Sequence, residues 1–318
     1  MRLSVAVPLY NEEANVPELL RRVAAVLDAV PGGPHELVCV DDGSSDRTVE
    51  LVSAAAAADP RITLVVLSRN FGHQAALSAA LQHATGDVVV MMDGDLQDPP
   101  EAIPRLLEQY HRGYDVVYVT RVQRKEPWHL RLAYRLAYRL IARLSSIDVP
   151  VDAGDFSLMS RRVVDVLNGL PERQRYLRGL RSWAGFRQTG IEVERDARRA
   201  GTSKYTFSKL LQLAIDGMLT FSAVPLRAAA ATGALAVVAS LLFAAYSVYV
   251  RLVVGHSPEG FTALIVALTF LSGVQLLFLG VIGEYLGRIF NEVKDRPAYV
   301  VERVVRSPDG SSVRPPVS

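Results

Sequence analysis

Three carboxylates and an amide stand near the middle of the chain, where Asp93, Asp95, Gln97 and Asp98 follow the apolar residues 88–92. A continuous apolar run that ends in polar residues is typical of a buried strand delivering side chains to the edge of a sheet. Asp93 and Asp95 are two residues apart, so in an extended segment they share a face. With the Gln97 carbonyl they form a hard oxygen set suited to Mg²⁺ or Mn²⁺, ions that commonly arrive carrying phosphates. An acidic turn without an ion is the alternative interpretation, because the pattern is short.

Alternating strands and helices must position these side chains. Apolar runs predict strands over residues 3–9, 36–40, 62–67, 115–120 and 191–194, and helical periodicity predicts helices over 11–30, up to 85 and over 101–110. This alternation predicts an α/β fold with an open sheet, whose ligands bind beyond the carboxyl ends of the strands. Asp42 lies at such an end, where a carboxylate can accept hydrogen bonds from a base or a ribose. A residue that only shapes the turn is the alternative for Asp42.

Cations in two places could bind a phosphate group. Arg121 ends the strand predicted over 115–120, where a guanidinium could hold a phosphate with two hydrogen bonds. Arg198 and Lys204 flank Gly201 in a basic stretch that could fold over a bound phosphate group. The alternatives are a solvated charge for Arg121 and a basic cluster beside a membrane for the second stretch.

The apolar excess of the 318-residue chain lies after residue 225. The stretches 226–254 and 261–289 are each long enough for the roughly 20 residues that cross a bilayer, so we predict two transmembrane helices in a hairpin. Lys294, Arg296, Arg303 and Arg306 follow the second stretch, and this positive charge predicts that both termini are cytoplasmic at the inner (plasma) membrane.

Charge and amphipathicity indicate further membrane contact. Arginines recur every four residues in the helix predicted over 128–144, beside leucines and aromatic residues, and residues 206–222 form a second amphipathic helix. Such helices bind the anionic lipids of a membrane surface, although a solvated helix face is the alternative for the first. The net charge of only +2 gives no reason to expect nucleic acid as a partner. A two-helix anchor leaves polar surface facing lipid, which allows a homo-oligomer.

Several short motifs together resemble glycosyltransferase family 2, and within it the subgroup that moves sugars onto polyprenyl phosphates, such as dolichol-phosphate mannose synthases and undecaprenyl-phosphate glucosyltransferases. The motifs are VAVPLYNEE at residues 5–13, DDGSSD at 41–46, SRNFG at 68–72, DGDLQDPP at 93–100, GDF at 154–156, RGLRSW at 178–183 and RRAGTSK at 198–204. The resemblance covers nearly the whole chain and implies a GT-A (Rossmann-like) catalytic domain.

The resemblance also implies roles for individual residues. Asp95 and Gln97 would hold Mg²⁺ or Mn²⁺ with the donor diphosphate, with Asp93 beside them. The nucleoside of the donor would contact Pro8, Tyr10, Asn11, Glu12 and Asp42, and Arg121, Arg198 and Lys204 would assist the diphosphate. Asp155 is the candidate catalytic base, with Asp152 as the second candidate. Ser157 stands where many relatives carry an arginine, so no phosphate contact is carried over to that position.

These observations predict an inverting transferase that moves a hexose from a nucleotide diphospho-sugar, of the UDP-glucose or GDP-mannose type, to a polyprenyl phosphate such as undecaprenyl phosphate. The alternatives are a membrane glycosyltransferase with another lipid or glycan acceptor, and a non-catalytic nucleotide-sugar-binding scaffold. The predicted boundaries are 1–205 for the catalytic domain, 206–222 for an interfacial helix, 226–254 and 261–289 for the transmembrane helices, and 290–318 for a cytoplasmic tail that is disordered at its end.

Overall fold

The computed structural model describes residues 1–121, 153–173, 175–193, 224–254 and 260–307. These residues divide into two units, one made of the residues up to 193 together with 296–307, and one made of 224–295. The predicted helices over 128–144 and 206–222, and the end of the predicted tail, lie outside the described residues.

Eight strands of the first unit form one mixed sheet in the order β7-β5-β6-β4-β1-β2-β3-β8. The strands are β1 (Leu3–Leu9), β2 (Glu36–Asp41), β3 (Ile62–Leu67), β4 (Val88–Met91), β5 (Val116–Arg121), β6 (Ala153–Ser160), β7 (Gln188–Val193) and β8 (Val301–Val305).

The centre of the sheet is parallel. Strand β1 pairs in parallel with β2 and β4, with Val5 opposite Leu37 and Val90, and β2 pairs in parallel with β3. Every residue of β1 to β4 is buried. Burial on both faces explains why these strands read as continuous apolar runs rather than as alternating ones.

Two strands run antiparallel to their neighbours and depend on long-range pairing. Strand β6 lies between β4 and β5, with Met91 opposite Ser157. Strand β8 follows the second long helix in sequence and covers β3, with Leu64 opposite Val305. The sequence assigned residues 290–318 to a tail, and within that range residues 301–305 form a strand of the sheet.

Helices connect the strands of this unit. They are α1 (Val16–Ala29), α2 (Thr48–Ala58), α3 (His73–His83), α4 (Ile103–His111), α5 (Arg161–Gly169) and α6 (Leu177–Trp183), and one turn of 3₁₀-helix, Pro100–Ala102, precedes α4.

Helix α1 begins later than the predicted start at residue 11. Asn11 has a φ of 55°, and the Glu12 carbonyl accepts hydrogen bonds from the amides of Asn15 and Val16, which makes residues 12–16 a turn. Pro17 then occupies the first turn of the helix, where its missing N–H costs nothing.

The second unit contains two long apolar helices. Helix α7 (Val224–Tyr249) continues into a π-helical segment, Val250–Val254, and α8 spans Phe261–Val293. Ala229–Tyr246 and Phe270–Val293 have mean hydropathies of 1.9 and 1.5, so both are long and apolar enough to cross a membrane.

The surfaces of these helices fit the same interpretation. Leu242 and Phe243 are each 67% exposed in the isolated chain, and such exposure of large apolar side chains is typical of a surface that lipid or protein covers. Near the end of α8, Arg288 forms an ion pair with Glu284, four residues before it, at 3.1 Å.

Candidate active site

The candidate site lies where the central strands end. Because β1, β2, β3 and β4 are parallel, their carboxyl ends meet at one edge of the sheet, where open α/β sheets bind ligands. Strand β6 begins at the same edge because it is antiparallel to β4. The pairing of Met91 with Ser157 brings Asp93, two residues beyond β4, toward Asp155, two residues before Ser157.

Three side chains with metal-ligating atoms meet here. His73, Asp93 and Asp155 each offer one ligand atom, and these atoms lie within 4.8 Å of one another. His73 Nε2 is 3.5 Å from Asp93 Oδ1 and 3.7 Å from Asp155 Oδ2. The sequence predicted the two aspartates but not the histidine, which begins α3.

Asp155 also carries a strong ion pair. Arg178 Nε and Nη2 donate to the two carboxylate oxygens of Asp155, each at 2.6 Å, and the Asp155 side chain is only 8% exposed. Burial alone would raise the pKa of Asp155, but the hydrogen bonds from Arg178, together with His73, hold it well below its usual range. Asp155 is therefore a carboxylate that stays ionised and is a weak base in this arrangement.

The environment of Asp93 has the opposite effect. Burial raises the pKa of Asp93 to about 6, and the nearby carboxylates add to that rise against the attraction of His73. Its Oδ1 atom is buried and accepts no hydrogen bond from the residues that the structure describes. Burial lowers the pKa of His73, but Asp155 and Asp93 outweigh burial and raise it overall. A buried carboxylate oxygen without a hydrogen bond is suited to accept a cation.

Asp95 and Gln97 lie in a turn that follows β4. The prediction of an extended segment is wrong here, because the chain turns over residues 94–98 and Leu96 has a φ of 57°. The backbone amide of Gln97 donates to Asp95 Oδ1 at 3.1 Å, and this hydrogen bond fixes the Asp95 carboxylate within the turn.

Loops after β1 and β2 form one connected surface beside this turn. Asn11 exchanges hydrogen bonds with Ser44 and Ser45, with its amide donating to Ser44 Oγ and its Oδ1 accepting from the Ser45 amide. The Glu12 amide donates to Thr48 Oγ1 at 2.8 Å. Tyr10 is half exposed, and Pro8 is buried within β1 opposite Val40. The polar residues predicted to bind a nucleoside thus lie together at the ligand edge.

Asp42 has a structural role in these loops. Its two carboxylate oxygens accept hydrogen bonds from the amides of Phe71 and Gly72 at 2.7 and 2.9 Å. It is 3% exposed, and burial raises its pKa despite these two hydrogen bonds. Asp42 therefore ties the loop after β2 to the start of α3, the helix that carries His73.

The remaining predicted residues lie at the end of a described segment or outside the described residues. Arg121 is the last residue of β5, where its backbone is opposite Val193 of β7. Asp152, Arg198 and Lys204 lie outside the described residues.

Sequence reasoning missed two contributors to the site, His73 and the pairing of Arg178 with Asp155. His73 follows the third strand in the SRNFGH stretch, so its place at a strand-to-helix connection was a usable signal. The Arg178 pairing joins residues 23 positions apart through the packing of α6 on β6, and no local pattern predicts it.

Comparisons with known proteins show which family the chain resembles. The family model described as Glycosyl transferase family 2 matches residues 4–167. The chain is 42% identical to an uncharacterised glycosyltransferase of Bacillus subtilis (strain 168), YkcC, over 95% of this chain and 94% of that protein. It is 39% identical to the SfII prophage-derived bactoprenol glucosyl transferase of Shigella flexneri, over 95% of this chain and 98% of that protein.

A third relative transfers a different sugar. The chain is 38% identical to the undecaprenyl-phosphate 4-deoxy-4-formamido-L-arabinose transferase of Pseudomonas aeruginosa (strain LESB58), over 96% of this chain and 91% of that protein. Together with the mixed sheet, the family match confirms the predicted α/β fold with a GT-A catalytic domain.

Proposed function

Since the chain belongs to glycosyl transferase family 2, we propose that it transfers a single hexose from a nucleotide diphospho-sugar to the phosphate of a polyprenyl carrier, with inversion at the sugar. The observation that carries this proposal is the cluster of His73, Asp93, Asp155 and Arg178 beside the turn that holds Asp95. This cluster places carboxylates and cations at the edge where the fold binds ligands.

The acceptor class rests on the relatives. The names of the Shigella and Pseudomonas proteins each specify a prenyl carrier, whereas the sugars in those names differ. Because both likenesses extend over nearly the whole of this chain, the shared carrier is the better guide to its acceptor. We therefore propose undecaprenyl phosphate or a similar carrier as the acceptor, with UDP-glucose or GDP-mannose as the type of donor.

We propose that the donor diphosphate binds with Mg²⁺ or Mn²⁺ at Asp93, Asp95 and Gln97. Their hard oxygen atoms suit such cations, and the buried Oδ1 of Asp93, which accepts no hydrogen bond from the described residues, fits a cation ligand. The cation would take up negative charge that develops on the leaving diphosphate. Arg121, Arg198 and Lys204 are proposed to assist there, and Pro8, Tyr10, Asn11, Glu12 and Asp42 to surround the nucleoside.

The acceptor needs little help from a base. A phosphate monoester has a second pKa of about 6, so it is mostly a dianion at neutral pH. One of its oxygens forms a bond to the sugar C1 while the bond from C1 to the diphosphate oxygen breaks, and the nucleoside diphosphate leaves with the electron pair. Asp155, ionised and weakly basic, would orient the acceptor rather than take its proton. Asp152 remains a second candidate for this role.

The two apolar helices support a proposal for the place of reaction. We propose a multi-pass protein of the inner (plasma) membrane, with α7 and α8 crossing the bilayer and both termini cytoplasmic, where nucleotide sugars are found. Contacts with membrane lipids and a homo-oligomer remain predictions.

The test is transfer of radiolabelled hexose from UDP-glucose, GDP-mannose and related donors to undecaprenyl phosphate in detergent, with and without Mg²⁺. We expect a cation-dependent, acid-labile lipid product from one donor, and its loss in Asp95→Ala. Tight donor binding without any lipid product would instead favour the non-catalytic scaffold or another acceptor.

A further inference from the structure

Arg181 is a buried charge that lacks a full set of partners among the residues that the structure describes. It lies in α6 and is 1% exposed, and within those residues its Nε and Nη1 atoms have no hydrogen-bond acceptor. Its Nη2 atom reaches the Gly154 carbonyl oxygen at 3.5 Å. Burial lowers the pKa of Arg181 to about 10, so the side chain remains charged at neutral pH.

Such a side chain is costly to keep for packing alone. An arginine carries five N–H donors, and a buried charge without partners destabilises the folded state. The Tyr118 ring, whose centroid lies 5.4 Å from the guanidinium carbon, offers only a weak compensating contact. The donors of Arg181 that have no acceptor in the described part of the chain therefore point to an anion that binds beside them.

Arg178 precedes Arg181 by three residues on the same short helix, a spacing that places two side chains on one face. Arg178 is held by Asp155. Both residues lie close enough to Arg181 to affect its pKa, which Asp155 raises and Arg178 lowers. Two guanidinium groups thus lie near Asp155, and Arg178 takes both of its carboxylate oxygens, so Asp155 leaves the Nε and Nη1 donors of Arg181 without an acceptor among the described residues.

We propose that Arg178 and Arg181 form the receptor for the phosphate of the prenyl acceptor, and that this phosphate draws Arg178 away from Asp155. This inference rests on the proposed function. The planar guanidinium matches phosphate oxygens with paired hydrogen bonds, and a phosphate dianion offers enough oxygens for two of them. Asp155, freed from Arg178, then faces the bound acceptor.

The position of the arginine pair favours the acceptor over the donor. The donor diphosphate is assigned to the turn after β4, whereas Arg178 and Arg181 adjoin Asp155 and Gly154 on β6. With no acceptor bound, the ion pair keeps Asp155 occupied, so a nucleotide sugar that binds first does not meet a free carboxylate able to activate water.

Steady-state kinetics of the full chain in detergent test the proposal. Arg181→Met should raise the KM for undecaprenyl phosphate about ten- to a hundredfold, the loss expected for hydrogen bonds to a charged group, and leave the KM for the donor within about twofold. Arg181→Lys keeps the charge but not the planar guanidinium group. Its KM for undecaprenyl phosphate should therefore lie between those of Arg181→Met and the wild type. Arg187→Gln is the matched control, since Arg187 is exposed and its guanidinium lies over the Tyr114 ring, 4.4 Å from its centroid.

The melting temperature separates a binding role from a structural one. Arg181→Met should melt at the same temperature as the wild type or higher, because methionine removes an unpartnered buried charge while keeping most of the volume. A lower melting temperature with an unchanged KM for the acceptor would overturn the proposal in favour of a structural arginine. A raised donor KM would overturn it in favour of the donor diphosphate.

Direct binding distinguishes failure of this inference from failure of the proposed function. Farnesyl phosphate and farnesol, titrated into the wild type, compare ligands that differ only in the phosphate. We expect the wild type to bind farnesyl phosphate much more tightly than farnesol, and Arg181→Met to lose that difference. If Arg181→Met keeps the wild type's preference for farnesyl phosphate over farnesol, the inference alone is overturned. If the wild type shows neither this preference nor sugar transfer, the proposed function is overturned as well.

Discussion

Asp93 is the residue whose ionisation the fold opposes most clearly. Its pKa rises from 3.8 to about 6 because burial disfavours the charged form. Between these values the folded protein holds a proton that the unfolded chain has lost, so the free energy of unfolding falls as the pH rises through this range. Above about pH 6 the carboxylate is ionised at a cost to stability that a bound cation can offset.

Replacing Asp93 should therefore stabilise the cation-free protein and inactivate it. In EDTA at about pH 7.5, Asp93→Asn should raise the free energy of unfolding by up to about 3 kcal/mol, and the gain should disappear at about pH 4. Thermal melts at both pH values measure it.

A second carboxylate supplies the contrast for that experiment. Although burial raises the pKa of Asp46, hydrogen bonds from Thr48 and Glu13 lower it overall, so Asp46→Asn should lose stability at the higher pH. An Asp93→Asn variant that melts no higher than the wild type at about pH 7.5 would contradict the account of Asp93.

At the scale of elements, the turn after β4 fits closely against the end of β1. A Cβ on Gly94 would lie 2.5 Å from Leu9 Cδ2 and 3.2 Å from the Pro8 carbonyl oxygen. Leu9 is 1% exposed and has little room to move. The glycine therefore allows Asp93 and Asp95 to stand next to the first strand.

Gly94→Ala should displace this turn and weaken cation-dependent donor binding at least about tenfold, as expected when ligands move from their productive positions. Isothermal titration with UDP-glucose or GDP-mannose in the presence of Mg²⁺ provides the measurement. Gly169→Ala is the control, because a Cβ at the end of α5 meets nothing within 4 Å. Equal donor affinity in the two variants would show that the turn tolerates the added methyl group.

Strand β8 protects the edge of β3. Val305 is half-buried against the core, and the Ser68 amide donates to the Val300 carbonyl just before the strand. The Tyr299 hydroxyl also hydrogen-bonds the Gln82 side chain. Without β8, the unpaired groups of β3 would be open to pairing with another chain.

Val305→Asp should lower the free energy of unfolding by about 1–3 kcal/mol, because it places a charge against apolar side chains. The exposed neighbour Arg303, changed to aspartate, should have little effect. Thermal melts and light scattering compare the two variants. If Arg303→Asp destabilises the protein as much as Val305→Asp, the buried face of β8 is not what holds this strand.

The strands and helices near the start of the chain could be predicted from sequence because their signals are local. Continuous apolar runs such as residues 62–67 and 88–92 indicate buried strands by themselves. Strand β8 could not, since its short valine-rich segment becomes a strand only by pairing with β3, far away in sequence. The same distinction holds for the site. Asp93 and Asp95 could be predicted from a local motif, whereas the pairing of Arg178 with Asp155 depends on tertiary packing.

At the scale of the whole molecule, the proposed membrane anchor consists of two crossings. Helix α7 has 26 residues and α8 has 33, each longer than the roughly 20 needed to cross the hydrocarbon core. The single cysteine, Cys39, is buried, so new cysteines can report on sidedness without interference.

Ser257→Cys, between the two helices in sequence, should react with a membrane-impermeant maleimide added to intact cells, because the proposed topology puts this connection outside. Ser311→Cys, near the carboxyl terminus, should react only after the membrane is opened, because the same proposal puts both termini in the cytoplasm. Labelling of both positions from outside, or extraction of the protein by alkaline carbonate without detergent, would contradict the two-helix membrane anchor.

The central claim is that the acceptor is a prenyl phosphate, and competition between acceptors tests it most directly. The purified chain is incubated with Mg²⁺, the donor that supports transfer, and a mixture of undecaprenyl phosphate, undecaprenol and diacylglycerol. The masses of the lipid products are then measured by mass spectrometry. We predict one product, undecaprenyl phosphate heavier by a single hexose residue and cleaved by mild acid. Hexose on diacylglycerol or on undecaprenol, with undecaprenyl phosphate unchanged, would contradict the account.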